Sequence, residues 1–293
     1  MNILLTGSTG FIGSSVLPRL LDEGHSVTAL VRDAGKAASV EAAGATALIG
    51  DAADAQLVER AARESDGVIH LASSTDVDTV LVPAVLRGLA GSAKAFVHTG
   101  GIWTYGTNDD ITEDSAVDAP ELTAWRGTAE ALVRAAADVR AMIVVPSIVY
   151  GHGKGLANVI VDAPRGSEAA PALRLIGDGT QHWATVHVDD LAALYVLALE
   201  HGTAGATYIG AGGHNPTVRE LGEAAAQAAG IAGGVVAESV EETRSRLGAG
   251  LADALLLDQQ ARGTKARIDL GWEPNGATLP EELLVGSYAP ARV

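Results

Sequence analysis

The first thirteen residues, MNILLTGSTGFIG, restrict what this chain can fold into more than any other stretch. Met1 and Ile3–Leu5 form an apolar run of strand length, and Thr6 and Gly7 follow at once. Gly10 and Gly13 complete the spacing G-x-x-G-x-x-G. Phe11, Ile12, Val16, Leu17, Leu20 and Leu21 then recur on one face, which predicts a helix over Phe11–Leu21. Strand, glycine turn and helix in this order make a seat for phosphate. Gly7 permits the tight turn, Gly10 lets a pyrophosphate approach the backbone, and Gly13 lets helix and strand pack closely. The helix start offers unpaired N–H groups and the positive end of its dipole. An ordinary βα turn is the competing reading. A second βα unit directly downstream favours dinucleotide binding.

Gly24 ends the first helix, and His25–Val31 reads as a second strand. Arg32 stands at its end, with Asp33 and Lys36 just beyond. An acidic residue there holds the ribose 2′-OH of NAD, whereas an arginine grips the 2′-phosphate of NADP. Arg32 therefore favours NADP over NAD, and Asp33 speaks for the opposite. Ala37–Ala43 follows as a helix and Ala45–Ile49 as a third strand, ending in Gly50-Asp51. Asp51 either accepts from the adenine amino group or serves the turn. Gln56–Arg63 is helical, Gly67–Leu71 a strand, and the small residues Ala72-Ser73-Ser74 leave room for a cofactor. Thr79–Leu89, Ala95–Thr99, Thr123–Ala137 and Met142–Val145 continue the alternation as helix, strand, helix, strand. Such alternation predicts an α/β fold with a doubly wound parallel sheet. After Pro146 the rhythm breaks, and prolines and glycines multiply up to Gly179. Residues 1–150 are thus expected to form the dinucleotide-binding domain. Residues 151–293 are expected to form mainly a smaller C-terminal α+β substrate lobe, with some segments returning to the first domain.

At 293 residues the chain has room for one large domain with such a lobe. A formal net charge of −16 repels nucleic acid and anionic membranes, so the expected partner is a small molecule. There is no cysteine, hence no disulfide framework and no thiolate nucleophile. The histidines show no metal-ligand spacing, and no metal is expected. No apolar run reaches membrane-spanning length, and a strand starting at residue 2 leaves no room for a signal peptide. A cytoplasmic protein is expected.

Several motifs coincide: Thr6-Gly7-x-x-Gly10-x-x-Gly13, Gly50-Asp51, His70-Leu71-Ala72, Pro146-Ser147-Ile148-Val149-Tyr150-Gly151 and Val186-His187-Val188-Asp189-Asp190-Leu191-Ala192. Together they resemble the extended short-chain dehydrogenase/reductases, in the epimerase/dehydratase-like branch, over nearly the whole chain. The resemblance implies a Rossmann-type domain with a substrate lobe, and a nicotinamide cofactor. The cofactor contacts so expected are Gly7, Thr9, Gly10, Phe11, Ile12, Gly13, Arg32, Asp51, Ala52, Leu71, Ala72, Ser73, Thr99, Pro146 and Ser147. It also implies a junction between the lobes at His187–Leu191, with Asp189 or Asp190 capping the next helix.

That family's catalytic groups are a Ser/Thr after the fifth strand and a Tyr-x-x-x-Lys on the following helix. The tyrosine moves a proton at the substrate oxygen and the lysine lowers its pKa. Here Trp125 stands at the tyrosine position and Ala129 at the lysine position. Gly100 takes the Ser/Thr position, with Thr99 one residue early. The candidate catalytic residues are therefore Thr99, Tyr105 and Trp125, the last more as an apolar wall than as a donor. Trp103, Tyr150, His152, His182 and Trp183 are candidates for the substrate pocket; His152 and His182 have the alternative of being plain loop histidines. The expected activity is an NADP(H)-dependent oxidoreductase for a small, hydrophobic C=O or C=N substrate. Imine reduction suits a site without the tyrosine, because an iminium arrives already protonated. A non-catalytic NADP(H)-binding sensor or regulatory protein is the alternative. Thr79–Leu89 and Thr123–Ala137 carry Ala-rich faces on which a homodimer can pack.

Overall fold

The alternating apolar runs form one seven-stranded parallel sheet in a computed structural model, which describes residues 1–167 and 170–290. Residues 168, 169 and 291–293 of the expected second lobe lie outside the described residues. The first half runs β1 (Asn2–Thr6), α1 (Gly13–Asp22), β2 (Ser26–Val31), α2 (Ala34–Ala42), β3 (Thr46–Ile49), α3 (Ala55–Glu64), β4 (Gly67–His70), α4 (Thr75–Leu89) and β5 (Ala95–Thr99). Two helices, α5 (Glu121–Ala124) and α6 (Arg126–Ala135), lead into β6 (Arg140–Pro146). A later helix, α7 (Val188–His201), precedes β7 (Thr207–Gly210).

The strand order is β3-β2-β1-β4-β5-β6-β7. The chain reverses its winding direction between β1 and β4, which opens a crevice at the carboxyl ends of those strands. Both faces of the sheet are covered, so the strands read as continuous apolar runs. Ile3 and Leu5 face one core with α1 and α7, and Leu4 faces the other with α3, α4 and α6. Each fully buried side chain of this kind stabilises the fold by about 1.5–3 kcal/mol.

Several expected boundaries shift for local reasons. α1 begins at Gly13, because residues before it are used in the glycine turn. α4 begins at Thr75, where the Ser74 hydroxyl accepts from the Val77 N–H and caps the helix. The expected helix Thr123–Ala137 is two helices meeting at Trp125, whose indole N–H turns back to the Leu122 carbonyl at 3.0 Å. Thr207–Gly210 pairs in parallel with β6 as an edge strand of the main sheet. α7 is capped by His187, which accepts from the Asp189 N–H, and neither Asp189 nor Asp190 is its N-cap. Asp189 instead accepts from the Ser15 hydroxyl of α1, and Asp190 from the amides of Asn275 and Gly276.

The remaining segments build a second core around Ile148, Tyr150, Trp183, Leu221 and Leu255. Its strand Ile148–Gly151 directly follows β6 and pairs with Thr185–His187 and Lys154–Gly155. Ile148, Val149, Gly155 and Leu156 thereby border the crevice.

Candidate functional site

The crevice is shaped by the glycine turn. Gly7 has φ +75°, and a Cβ there would sit 2.8 Å from the Ala72 nitrogen. A Cβ on Gly13 would sit 2.0 Å from the Gly7 carbonyl oxygen. Both positions require glycine, for the conformation in one case and for close approach in the other. Gly10 donates to the Gly7 carbonyl at 2.9 Å and leaves its other side bare. No acidic residue lies in the first turn of α1. A pyrophosphate fits this cradle of backbone N–H groups.

Two cavities, of about 520 and about 640 Å³, share Gly7, Gly10, Leu71 and Ser74, so they form one cleft divided by the glycine turn. The smaller holds Thr9, Arg32, Lys36, Asp51, Ala52 and Ala72. The larger holds Phe11, Ile12, Gly13, Ser73, Trp103, Trp125, Arg126, Pro146 and Ser147. Every residue expected to touch a cofactor thus lines the cleft, except Thr99. Asp33 is taken up as the N-cap of α2, its carboxylate accepting from the Lys36 N–H at 2.9 Å. Neither Arg32 nor Lys36 pairs with a carboxylate among the described residues. Asp51 serves the turn with one oxygen, accepting from the Ala53 N–H, while it also lines the smaller cavity. In the larger cavity the Ser147 hydroxyl is buried and has no hydrogen-bond partner among the described residues, so it is available to a ligand.

The larger cavity is walled mainly by apolar groups, and Arg126 is the one charged side chain lining it among the described residues. Arg126 opens α6, and its Nη1 donates to the Ser73 hydroxyl at 3.2 Å and to the Thr99 carbonyl at 3.1 Å. Its Cζ lies 4.6 Å from the centroid of the Trp125 ring. Burial pulls the pKa of the guanidinium down, against the pull of the Asp78 and Glu130 charges. Sequence reasoning placed Trp125 as a wall, where it stands, and passed over its neighbour. The signal that could have found Arg126 is its position: a cation at a helix N-terminus opposes the helix dipole.

The other catalytic candidates lie elsewhere. The Thr99 hydroxyl donates to the His70 carbonyl at 2.6 Å and pairs with the Tyr195 hydroxyl at 2.8 Å, buried between β5 and α7. Tyr105 is 5% exposed and packs in the core cluster of α4 and α6. Burial, with the nearby Glu130 charge, pushes its pKa up to about 12, so it does not exchange protons near neutrality. Of the substrate-pocket candidates, Trp103 lines the cleft and the rest do not. Tyr150 donates to the Ala277 carbonyl and Trp183 to the Leu255 carbonyl, both within the lobe's core. His182 pairs with Asp258 at 2.9 Å, and His152 with Asp189 at 3.0 Å.

Behind Ser73 lies a group that no sequence spacing revealed. His70, Asp78 and His98 are buried, with ligand-type atoms within 4.8 Å of one another. Hydrogen bonds account for most of them. His70 meets Asp78 at 2.9 Å and Thr6 at 2.6 Å, and Ser73 donates to Asp78 at 2.6 Å. Burial alone would raise the Asp78 carboxyl, but the His70 and Ser73 hydrogen bonds hold it below its ordinary value. His98 has no hydrogen-bond partner among the described residues, and burial, with His70 beside it, lowers its pKa from 6.5 to about 3. The unfolded chain therefore takes up a proton below pH 6.5 that the folded chain refuses until about pH 3. This residue's share of stability is complete above that upper value and falls by about 1.4 kcal/mol per pH unit below it. His98→Phe is expected to flatten the acid side of a denaturant-midpoint profile between those limits. Parallel profiles for the two proteins would refute the assignment.

Comparison with known proteins adds the following. The model of the NAD dependent epimerase/dehydratase family matches residues 3–210. The "Uncharacterized protein C2A9.02" of Schizosaccharomyces pombe is 30% identical over 98% of this chain and 100% of its own length. The UDP-glucose 4-epimerase of Mycolicibacterium smegmatis is 30% identical over 94% of this chain and 95% of its own. Among solved structures, the Thermus thermophilus UDP-glucose 4-epimerase in complex with NAD superimposes with a TM-score of 0.76 at 22% identity, covering 100% of both chains.

Proposed function

The chain belongs to the NAD-dependent epimerase/dehydratase family, and from that premise we propose that it is an NADP(H)-dependent oxidoreductase acting on a small, largely apolar carbonyl compound. Arg126 carries this reading. It is a guanidinium lining an apolar cavity, and by the sequence register Trp125 and Ala129 stand where the family's tyrosine and lysine are expected. A nicotinamide cofactor supplies or takes up hydride when bound. The glycine turn would hold its pyrophosphate, and Phe11, Pro146 and Ser147 would bind its nicotinamide end. Trp103, Trp125 and Leu156 keep water from the reacting carbon. Arg126 donates to the substrate oxygen and stabilises the negative charge that develops there. Solvent then delivers the proton to that oxygen.

The same guanidinium weighs against the imine substrate expected from the missing tyrosine. An iminium beside Arg126 would place two positive charges in a cavity of low dielectric. A panel of ketones and aldehydes, set beside cyclic imines, with NADPH oxidation as readout, tests the reading. Turnover of imines alone would overturn it. Tight NADPH binding with no turnover in a broad panel would favour the sensor role instead.

The preference for NADP rests on Arg32 and Lys36, with Asp33 committed to its cap. Arg32→Ala is expected to raise the KM for NADPH about 10- to 100-fold, the loss of one or two charge-assisted hydrogen bonds. The KM for NADH should stay within about twofold, since NADH has no 2′-phosphate for Arg32 to hold. Equal losses for both cofactors would remove the basis of the preference. No described helix is long and apolar enough to cross a membrane. A cytoplasmic location and a homodimer belong to the same proposal; the exposed Leu132 of α6 supports a second copy packing there.

A further inference from the structure

We infer that the substrate is an oxo acid, whose carboxylate is held by the Nε/Nη2 edge of Arg126; this rests on the carbonyl reading above. Arginine carries five N–H donors in a rigid fork. Nη1 is spent on Ser73 and the Thr99 carbonyl, both neutral acceptors. Nε and Nη2 make no hydrogen bond to any described residue, and no carboxylate pairs with this guanidinium among them. The Asp78 and Glu130 charges act on this guanidinium only from beyond contact, Asp78 through Ser73. The Nε/Nη2 edge itself thus faces no anion, and a buried donor edge left without an acceptor is costly until an anionic ligand fills it.

The edge is also kept in place and kept clear. Trp125 supports the face of the guanidinium, and Nη1 is pinned at two points. Gly101 lies alongside, where a Cβ would come within 3.4 Å of Nε. The missing side chain leaves space beside that edge. Arg126 is the first residue of α6, and no acidic residue occupies that helix's first turn. The helix dipole therefore adds to the pull on an anion.

The chemistry selects a carboxylate. A planar, singly charged carboxylate matches the fork with two parallel hydrogen bonds. A phosphate would bring a second charge, and no second cation lines this half of the cleft among the described residues. With Nε and one Nη2 hydrogen on the carboxylate, the other Nη2 hydrogen is left for the carbonyl oxygen. One side chain then both anchors the substrate and stabilises the charge that forms on it.

The test uses the full-length protein saturated with NADP⁺ and reads tryptophan fluorescence, with calorimetry as a check. Benzoate, methyl benzoate and phenyl phosphate are the probes. Benzoate is expected to bind about tenfold or more tightly than methyl benzoate, the worth of a charge-assisted pair. Arg126→Gln is expected to lose that preference while binding NADP⁺ within about threefold of wild type, which also reports that it has folded. Equal binding of benzoate and its ester, or a preference that survives in Arg126→Gln, overturns the inference. Phenyl phosphate binding more tightly than benzoate overturns the choice of carboxylate. Turnover of phenylpyruvate and its methyl ester separates the two readings. Reduction of the acid in clear preference to the ester supports both. Equal reduction of both keeps the carbonyl reading and sinks the carboxylate seat. Arg126-dependent benzoate binding with reduction of neither keeps the seat and sinks the carbonyl reading.

Discussion

Gly13→Ala is expected to weaken NADPH binding about 100-fold or more, as measured by fluorescence titration. The added Cβ would lie 2.0 Å from the Gly7 carbonyl oxygen and 2.8 Å from the Gly7 carbonyl carbon and the Ser8 Cα. All three neighbours are backbone atoms, so no side chain can swing away. Gly7 itself is held by its positive φ and by the backbone of Leu71 and Ala72, which leaves no room for a Cβ there. The start of α1 must therefore move outward by on the order of 1 Å, and its N–H groups move off the phosphates, a displacement that costs about 100-fold. Overpacking of this kind also costs about 1–3 kcal/mol of stability. Binding within threefold of wild type would show that the turn is not the phosphate seat. Gly24→Ala is the control: its positive φ makes alanine strained there, whereas Gly13 has none, but nothing lies near its Cβ and it is outside the cleft, so it should cost stability without weakening NADPH binding.

Arg126→Met is expected to lower kcat/KM about 100- to 1000-fold, as loss of a charge-stabilising donor does. The methionine keeps the apolar stem over Trp125 and removes the charge, so NADPH affinity should hold. Arg126→Lys should recover only part of the loss, because an ammonium does not reproduce the fork. Tyr105→Phe should leave kcat/KM within about twofold, because its hydroxyl is buried away from the cleft and holds its proton. An unimpaired Arg126→Met, or a collapse of activity in Tyr105→Phe, would return the chemistry to the tyrosine.

The parts of the site legible in the sequence are those confined to one βα unit. Gly7, Gly10 and Gly13 act within a single turn, and Arg32 and Asp51 stand at the ends of their own strands. Their spacing and strand-end positions are set within the local chain, although Gly7 also packs against the backbone of Leu71 and Ala72. Thr99 shows where that logic ends. It sits at the end of β5, the expected place, but the pleat turns its hydroxyl toward Tyr195 of α7, 96 residues on. Tyr105 follows the same strand, and the turn at Ile102–Tyr105 folds it into the core. Tyr150 and Trp183 have the size and polarity of pocket residues, yet each spends its polar atom on a carbonyl of the lobe.

Arg126 marks the division most sharply. In the sequence it is one basic residue in an Ala-rich stretch. Its role arises only where α6 crosses the end of the sheet and meets Ser73, 53 residues earlier, and Thr99, 27 residues earlier. The sequence by itself determined a doubly wound parallel sheet of six strands and the glycine turn, since apolar periodicity and glycine spacing are local properties of the chain; the seventh strand, Thr207–Gly210, joins that sheet only through its pairing with β6. The tertiary structure alone decided which side chains line the cleft, because that depends on which elements cross there and on the side of each strand or helix that points inward.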